Sequence, residues 1–290
     1  MKVKVKCPAS CGELIQGMIG DGEKLISLPI DIYSEVTIEE NVKGTVRANR
    51  VKTVIALEET LKYFNVPVDY MKNISLSISS NIPIAKGMAS STADIAATIV
   101  ATAKLLGKDL STEELSELCC KIEPTDSTIF DKLVLFDHIN GRVIRKHNWD
   151  LDMKVLILEM DSFVSTDEFR KNDYTRARND NKKDIEKAYD LFSLACDRRD
   201  KKLLGEAVTI SSLANQRILL KPKLEEILEL TNKVGAYGVN VAHSGTVVGI
   251  LYDDHVDVDK LKDLFVKRGI TKDYVKIHLV NTTRGGVKIY

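Results

Sequence analysis

The stretch that decides the fold is IPIAKGMASSTADIAAT, residues 82–98. It places a proline, a lysine and a glycine ahead of two serines, and then continues into an alanine-rich segment typical of a helix. Gly87 gives the backbone freedom, and the small side chains after it leave room for a close ligand. Because a helix N-terminus presents unpaired N–H groups and partial positive charge, we expect this segment to bind an anion such as phosphate.

Two interpretations of the serines remain open on the sequence alone. In the first, Ser91 caps the helix and Asp94 completes a capping box. In the second, Lys86 reaches the distal phosphates of a nucleotide, and the second serine ligates Mg²⁺ while it caps the helix. The stretch lacks the GxxxxGK[ST] pattern of a P-loop, and no GxGxxG marks a Rossmann turn. The second interpretation therefore requires a different kind of phosphate loop.

Composition excludes several classes of protein. The 290 residues include 42 basic and 42 acidic side chains, so electrostatics gives no support to a nucleic-acid partner. No window approaches the roughly 18 apolar residues of a membrane span, and the N-terminus has no apolar signal core, so we expect a cytoplasmic protein without a membrane partner. The five cysteines form no CxxC pair, and we interpret them as reduced thiols that mostly serve packing.

Strand and helix signals are mixed without regular βαβ alternation, which predicts an α+β fold. Strand signals dominate residues 1–80, and further strand pairs are expected within 133–160, within 238–252 and at the end of the chain. We expect two domains, 1–150 and 151–290. Helices are expected at 52–66, from Ser91 to about Leu106, at 111–122 with a capping box formed by Ser111 and Glu114, at 180–234 with a break near Asp200 and a new start at Pro222, and at 258–268.

Three segments resemble, in the same order, the three motifs of the GHMP kinases, a family named for galactokinase, homoserine kinase, mevalonate kinase and phosphomevalonate kinase. They are CPASCGELIQG at 7–17, IPIAKGMASSTADIAA at 82–97, and GAYGVNVAHSGTVVG at 235–249. Together they span nearly the whole chain. The resemblance implies a two-lobed fold, with a mixed α/β ATP-binding lobe, a C-terminal ferredoxin-like α+β lobe, and an active site in the cleft between them.

Within the family, the chain is most similar to the L-threonine kinase branch, which is associated with cobalamin side-chain synthesis and propanediol utilisation. The segments LPIDIYSEV, EPTDSTIF, LFDH and AHSGTVVG carry this finer resemblance, and GMASST replaces the more usual Gly-Leu-Gly-Ser-Ser-Ala. It implies a kinase that uses ATP and Mg²⁺ to convert L-threonine to O-phospho-L-threonine. Another small alcohol such as homoserine, or a nucleotide-binding sensor without turnover, remains an alternative, and the sequence leaves open whether the chain forms a homodimer.

The resemblance also assigns roles to individual residues. Asp126 is expected to accept the proton of the substrate hydroxyl or only to orient it, because Ser10 stands where several members have a lysine that pairs with this aspartate. Lys86 is the expected catalytic cation. The expected nucleotide-binding residues are Pro83, Ile84, Ala85, Lys86, Gly87, Met88, Ala89, Ser90, Ser91, Thr92, Ser244 and Gly245; the expected metal ligands are Ser90, Ser91 and Glu123.

The acceptor side of the cleft is expected near the first motif, with Ser10, Glu13 and Asp31 close to the substrate. An amino acid carries an ammonium group, which Glu13 or Asp31 is expected to meet, and a carboxylate, for which Arg284 is a candidate. His243 follows a strand within the third motif, and we interpret it as structural rather than catalytic.

Overall fold

The structure is a computed structural model that describes residues 1–40, 46–47, 50–162, 164 and 171–290. Strands and helices alternate irregularly along the chain, as the α+β prediction requires. The strands are β1 (Lys2–Ile19), β2 (Gly22–Glu40), β3 (Val46–Arg47), β4 (Ile74–Ser80), β5 (Leu133–Asp137), β6 (Arg142–His147), β7 (Lys154–Met160), β8 (Gly238–Val241), β9 (Val247–Tyr252), β10 (Tyr274–Asn281) and β11 (Lys288–Ile289). The α-helices are α1 (Val51–Tyr63), α2 (Ser90–Leu105), α3 (Thr112–Ile122), α4 (Thr175–Arg198), α5 (Lys201–Asn215), α6 (Leu224–Lys233) and α7 (Val258–Lys267).

One sheet joins strands from both halves of the chain. Its spatial order is β10-β7-β9-β8-β1-β2-β4-β3, with β11 beside β1 and the β5–β6 hairpin beside β2. The pairs are antiparallel except for the short β3–β4 pair, which is parallel. Since β8 from the second half pairs with β1 from the first, the sheet runs across residue 150, and the domain boundary there stays a prediction.

The long strand β1 changes character along its length. In its first part Val3 and Val5 are buried while the lysines beside them point outward, which is the alternation of a sheet with one covered face. From Cys7 to Gln16 every residue is buried, because α2, α4 and α5 pack against β1 and β8 adds to its edge. The pairing with β2 is interrupted by register shifts on both sides of Glu13. Such irregularities redirect side chains, and here they lie beside the cavity described below.

Most of the local predictions are confirmed. Ser111 caps α3 and Glu114 completes the capping box, and Asp200 caps α5 at the predicted break. The two predicted hairpins form as β5–β6 and β8–β9. None of the five cysteines, all of which lie in the described part of the chain, forms a disulfide, and four are buried while Cys120 is partly exposed. None of the described helices combines the length and apolarity needed to cross a bilayer.

Two helix starts differ from the predictions. Pro222 was expected in the first turn of a helix, but α6 begins at Leu224 after Lys223, whose φ of +55° is left-handed. At α2 the predicted capping box of Ser91 and Asp94 is wrong, because the helix begins after Ala89 without any side-chain cap. The Asp94 carboxylate instead accepts hydrogen bonds from Ser34 and Arg50, which lie far away in the sequence.

Helix α5 crosses the sheet at very short range. A Cβ on Gly205 would lie 1.9 Å from the carbonyl oxygen of Tyr237, and one on Gly238 would lie 2.3 Å from the carbonyl oxygen of Gly205. Contacts this short with backbone atoms cannot be relieved by rotating a side chain. The two glycines therefore set how closely α5 approaches β8.

We expect Gly205→Ala to destabilise the protein by about 1–3 kcal/mol, the usual cost of overpacking, although alanine favours a helix over glycine by about 1 kcal/mol. The free energy of unfolding from urea titration measures the effect. Glu206→Ala, at the exposed neighbouring position, is the matched control and should change stability little. A Gly205→Ala protein as stable as the wild type would show that α5 can move away from β8 at no cost.

Candidate active site

The loop between β4 and α2 has an unusual backbone. Ala85, Gly87 and Ala89 have φ angles of +58°, +78° and +59°, so every second residue is left-handed. For alanine this conformation costs roughly 1–2 kcal/mol. Backbones that alternate in this way direct successive N–H groups into one concavity that suits an anion. Since α2 starts at Ser90 with no side-chain cap, the N-terminus of the helix adds its own unpaired N–H groups to the same place.

Lys86 holds this loop in place rather than facing the cavity. Its ammonium donates hydrogen bonds to the carbonyl oxygens of Met160, Asp161 and Ser162 at 2.7, 2.9 and 2.8 Å, and lies 3.6 Å from the buried Glu159 carboxylate. An ammonium group has three protons to donate, and all three have acceptors here. The structure thus gives Lys86 an anchoring position instead of the phosphate-facing one expected from the sequence.

The third motif closes on the loop between β4 and α2 from the other side. Thr246 donates its backbone N–H to the carbonyl oxygen of Lys86 at 2.9 Å. A Cβ on Gly245 would lie 2.2 Å from the Cα of Gly87, so only glycine permits this approach. Ser244, immediately before it, lines the cavity.

A cavity of about 560 Å³ opens in front of the loop and the N-terminus of α2. Of the residues expected at the site, it is lined by Pro83, Ile84, Ala85, Gly87, Met88, Ala89, Ser90, Ser91, Thr92, Glu123, Asp126, Glu13 and Ser244. Segments that are far apart in the sequence thus meet around a space large enough for a small ligand.

Asp126 and Glu123 face this cavity from the segment that follows α3. Asp126 accepts a hydrogen bond from the Thr92 hydroxyl at 3.0 Å, and its own N–H donates back to the same oxygen at 3.3 Å. Burial raises the pKa of Asp126, and the hydrogen bond from Thr92 opposes this. The Glu123 carboxylate lies 2.5 Å from the ammonium of Lys52, so a cation already balances its charge.

Glu13 forms the floor of the cavity. Its side chain is 2% exposed, and the carboxyl accepts a hydrogen bond from the backbone N–H of His243 at 2.7 Å. Burial and the nearby charge of Asp126 raise the pKa of Glu13 well above its ordinary value.

A pair of imidazoles lies beside Glu13. His138 and His243 both line the cavity, with ring centroids 5.5 Å apart, and His243 Nε2 lies 2.9 Å from the Glu23 carboxylate. Arg178 approaches the same oxygen of Glu23 at 3.1 Å. Burial acts to raise the pKa of Glu23, but hydrogen bonding and charge from His243, with His138 and Arg178, outweigh it and lower the pKa to about 2. One ligand atom from each of Glu23, His138 and His243 lies within 4.8 Å of the other two, close enough to hold a metal ion. The Glu23 carboxylate already contacts basic side chains, which balance its negative charge.

Sequence reasoning missed two cations at the site. Arg50 and Lys52 lie at the start of α1 and line the cavity, and Arg50 lies 3.4 Å from the hydroxyl of Ser90. The sequence contains one indication of these cations at the site. Two basic residues lie at the start of a predicted helix, where a positive charge interacts unfavourably with the helix dipole. Their partners Ser90, Asp94 and Glu123 lie 40 to 71 residues further along the chain.

Three residues expected near the substrate lie outside the cavity lining. Ser10 is buried, and its hydroxyl donates to the carbonyl oxygen of Gly12 at 2.5 Å. Asp31 accepts hydrogen bonds from the backbone and side chain of Asn281 at 2.9 and 2.8 Å. Arg284 is ion-paired with Asp150 beside a separate small groove.

The chain matches two domain models of one family, which together cover more than half of its length. The model described as the GHMP kinases N terminal domain matches residues 49–132, and the one described as GHMP kinases C terminal matches residues 192–269. An L-threonine kinase from Salmonella typhimurium is 39% identical to the chain over 98% of its length and 94% of the relative. An L-threonine kinase from Citrobacter freundii is 38% identical, with 98% of each protein covered.

Solved structures show the same fold. A homoserine kinase from Cytophaga hutchinsonii superposes with a TM-score of 0.70 at 17% identity, covering 100% of this chain and 97% of the other. The Methanococcus jannaschii mevalonate kinase superposes with a TM-score of 0.62 at 20% identity, covering 98% and 97%. From the matched models and the identity to its relatives over almost the whole length, the chain belongs to the GHMP kinase family.

Proposed function

We propose that this protein is a kinase that uses ATP and Mg²⁺ to phosphorylate the hydroxyl of L-threonine. The observation that carries the proposal is the 39% identity, over 98% of the chain, to a relative named L-threonine kinase. The site supports it chemically, because the cavity combines an anion-binding loop, cations and carboxylates within reach of one small ligand. Phosphoryl transfer needs these elements to hold the phosphates, balance their charge and orient the acceptor.

The nucleotide phosphates would bind the loop from Gly87 to Thr92 and the N-terminus of α2. Arg50 and Lys52 face the same space and would supply the positive charge that the phosphates need. We assign to Arg50 and Lys52 the phosphate-facing role that the sequence predicted for Lys86. The Lys86 ammonium already donates its three protons to backbone carbonyls. Lys86 would then contribute by fixing the shape of the loop.

A magnesium ion fits the oxygen donors at one end of the cavity. Glu123, Ser90 and Ser91 present a carboxylate and two hydroxyls, the ligand types that Mg²⁺ prefers, and all three line the cavity. When bound, the metal would help neutralise the phosphate oxygens. Lys52 balances the Glu123 carboxylate in the structure, and a bound metal ion would take over that charge.

Asp126 would accept the proton of the threonine hydroxyl. The hydroxyl oxygen forms a new bond to the γ-phosphorus, the bond from phosphorus to the bridging oxygen of ADP breaks, and the proton passes to the Asp126 carboxylate. Thr92 holds that carboxylate in one orientation through its hydroxyl. Since an aspartate that only orients the hydroxyl would occupy the same position, pH dependence must separate the two roles.

The alternatives differ in the acceptor. A homoserine kinase from Clostridium botulinum is 24% identical over 92% of this chain, well below the L-threonine kinases. Pockets separate substrates that differ by one methylene by only about 1–3 kcal/mol, so the acceptor must be measured.

A sensor without turnover is disfavoured because Asp126, Glu123 and the loop are all in place around the cavity. The link to cobalamin synthesis stays a prediction from resemblance.

The acceptor is tested with purified protein, ATP and Mg²⁺ against L-threonine, L-serine, L-homoserine and mevalonate, with products identified by mass. We expect phosphothreonine, with kcat/KM for threonine at least about tenfold above that for homoserine. A higher kcat/KM for another acceptor would overturn the substrate but leave the phosphate-site assignment standing. ATP binding without turnover on any acceptor would favour the sensor.

We expect Asp126→Asn to lower kcat by about a hundredfold to ten-thousandfold, the usual contribution of a positioned acid-base group. The affinity for ATP, measured by calorimetry, should stay within a few fold. Asp131→Asn, a nearby exposed aspartate, is the matched control. An equal loss of ATP binding and turnover in a folded Asp126→Asn protein would contradict the assigned role.

We expect Glu123→Gln to raise the Mg²⁺ concentration for half-maximal rate by about tenfold or more, because it removes the charged ligand of the metal. The measurement is a Mg²⁺ titration of the initial rate at saturating nucleotide. Glu117→Gln, at an exposed position of α3, serves as the control. An unchanged Mg²⁺ requirement would place the metal elsewhere.

A further inference from the structure

We propose that Glu23, His138 and His243 form a binding site for a divalent transition-metal ion such as Zn²⁺, separate from the proposed magnesium site. One ligand atom from each of these side chains lies within 4.8 Å of the other two. The site is a property of the protein alone. It requires no assumption about the acceptor or about turnover.

The three side chains come from strand ends of one sheet. Glu23 is near the start of β2, His138 directly follows β5, and His243 comes two residues after β8. Leu25 pairs with Phe136 in the antiparallel β2–β5 pair, and continuing that register by two residues on each strand sets Glu23 opposite His138. Groups held by strands are more precisely placed than groups on loops, which favours a preformed site.

Two imidazoles and one carboxylate are a donor set that transition metals favour. This set binds Zn²⁺ with a further position left open, and other metals of the same kind use the same three ligands. Mg²⁺ prefers oxygen donors, so it would bind Glu123 and the serine hydroxyls of the proposed magnesium site instead. The two sites would therefore select different ions.

The separations between the ligand atoms suit an ion of this size. Zinc bonds of about 2.0–2.2 Å place tetrahedral ligands roughly 3.4 Å apart. His243 Nε2 lies 2.9 Å from the Glu23 carboxylate, and the rings of His138 and His243 have centroids 5.5 Å apart. Bringing all three ligand atoms onto one ion therefore requires side-chain movements on the order of 1 Å.

The site is largely shielded from water. The side chains of His243 and Glu23 are 10% and 9% exposed, and His138 is 3% exposed. Attraction between a carboxylate and a metal ion is stronger in such surroundings than in water. A metal would replace the hydrogen bond between His243 and Glu23, and any proton on the imidazole would be released.

Arg178 is the charged group that competes for Glu23. It lies 3.1 Å from the same carboxylate oxygen that His243 contacts. A carboxylate has two oxygens, so one can bind an ion while the other keeps the arginine, and ligating carboxylates are commonly held by such a neighbouring hydrogen bond. The arginine would then orient the ligand.

The ion would lie in the wall of the large cavity. Both histidines line that cavity, whereas Glu23 and Arg178 line a small separate groove that His243 also borders. An ion would therefore enter from the cavity and direct its open coordination position toward it. A small molecule with nitrogen or oxygen donors is the class of ligand that this position would accept.

The test measures zinc binding to the full chain, freed of metal and kept in excess Mg²⁺, by competition with a chromophoric chelator. We expect one ion per chain. His138→Asn, His243→Asn and Glu23→Gln should each weaken binding at least about a hundredfold, because each removes one of three ligands. His255→Asn, at an exposed histidine, is the matched control and should bind as the wild type does. Unchanged affinity in a folded His138→Asn protein would overturn the proposal.

X-ray absorption of the zinc-loaded wild type identifies the ligands without any variant. We expect scattering from two imidazoles and from oxygen, without sulfur. Cys120 is the competing ligand, because its thiol lies 3.4 Å from the carbonyl oxygen of His138. Zinc–sulfur scattering, or no binding to the wild type at micromolar zinc, would also overturn the proposal. If the variants do not fold, these wild-type measurements decide alone.

Discussion

The candidate site depends on the anchoring of the loop between β4 and α2 by Lys86. The loop contains two alanines in the left-handed region, each of which costs roughly 1–2 kcal/mol, so it needs strong contacts to persist. The ammonium of Lys86 supplies three hydrogen bonds to the chain leaving β7, and the Lys86 carbonyl accepts one from Thr246. Because these partners come from the end of β7 and from the third motif, one residue fixes the loop and joins it to both.

The charges in the cavity are balanced in three different ways. Glu123 is paired with a lysine, Asp126 is only partly buried and accepts a hydroxyl hydrogen bond, and Glu13 lies on the floor with a neutral N–H donor and another carboxyl. Burial raises the pKa values of Asp126 and Glu13, whereas a cation lies beside Glu123. The same chemical group thus stands in three different electrostatic environments within one cavity.

The sequence predicts features that depend on near neighbours and fails where partners are distant. The capping box of Ser111 and Glu114 follows from residues a few positions apart. Lys86 was expected to face phosphate, but its acceptors lie 74 to 76 residues away at the end of a strand, and nothing in the local pattern reveals them. Asp94 has the spacing of a cap, yet its partners come from β2 and from the residue before α1. Tertiary pairing of charges outweighs local propensity at these positions.

The first motif brings a carboxyl to the floor of the cavity through an irregular strand. The Ser10 hydroxyl donates to the carbonyl oxygen of Gly12, whose φ of +58° and close approach to the Val241 backbone leave no room for a Cβ. The pairing with β2 shifts register on both sides of Glu13, and the backbone N–H of His243 donates to the Glu13 carboxyl. Because the third motif supplies that N–H, the first and third motifs are joined at the floor of the cavity, as the second and third are joined through Lys86 and Thr246. The three motifs therefore depend on one another for the shape of the site.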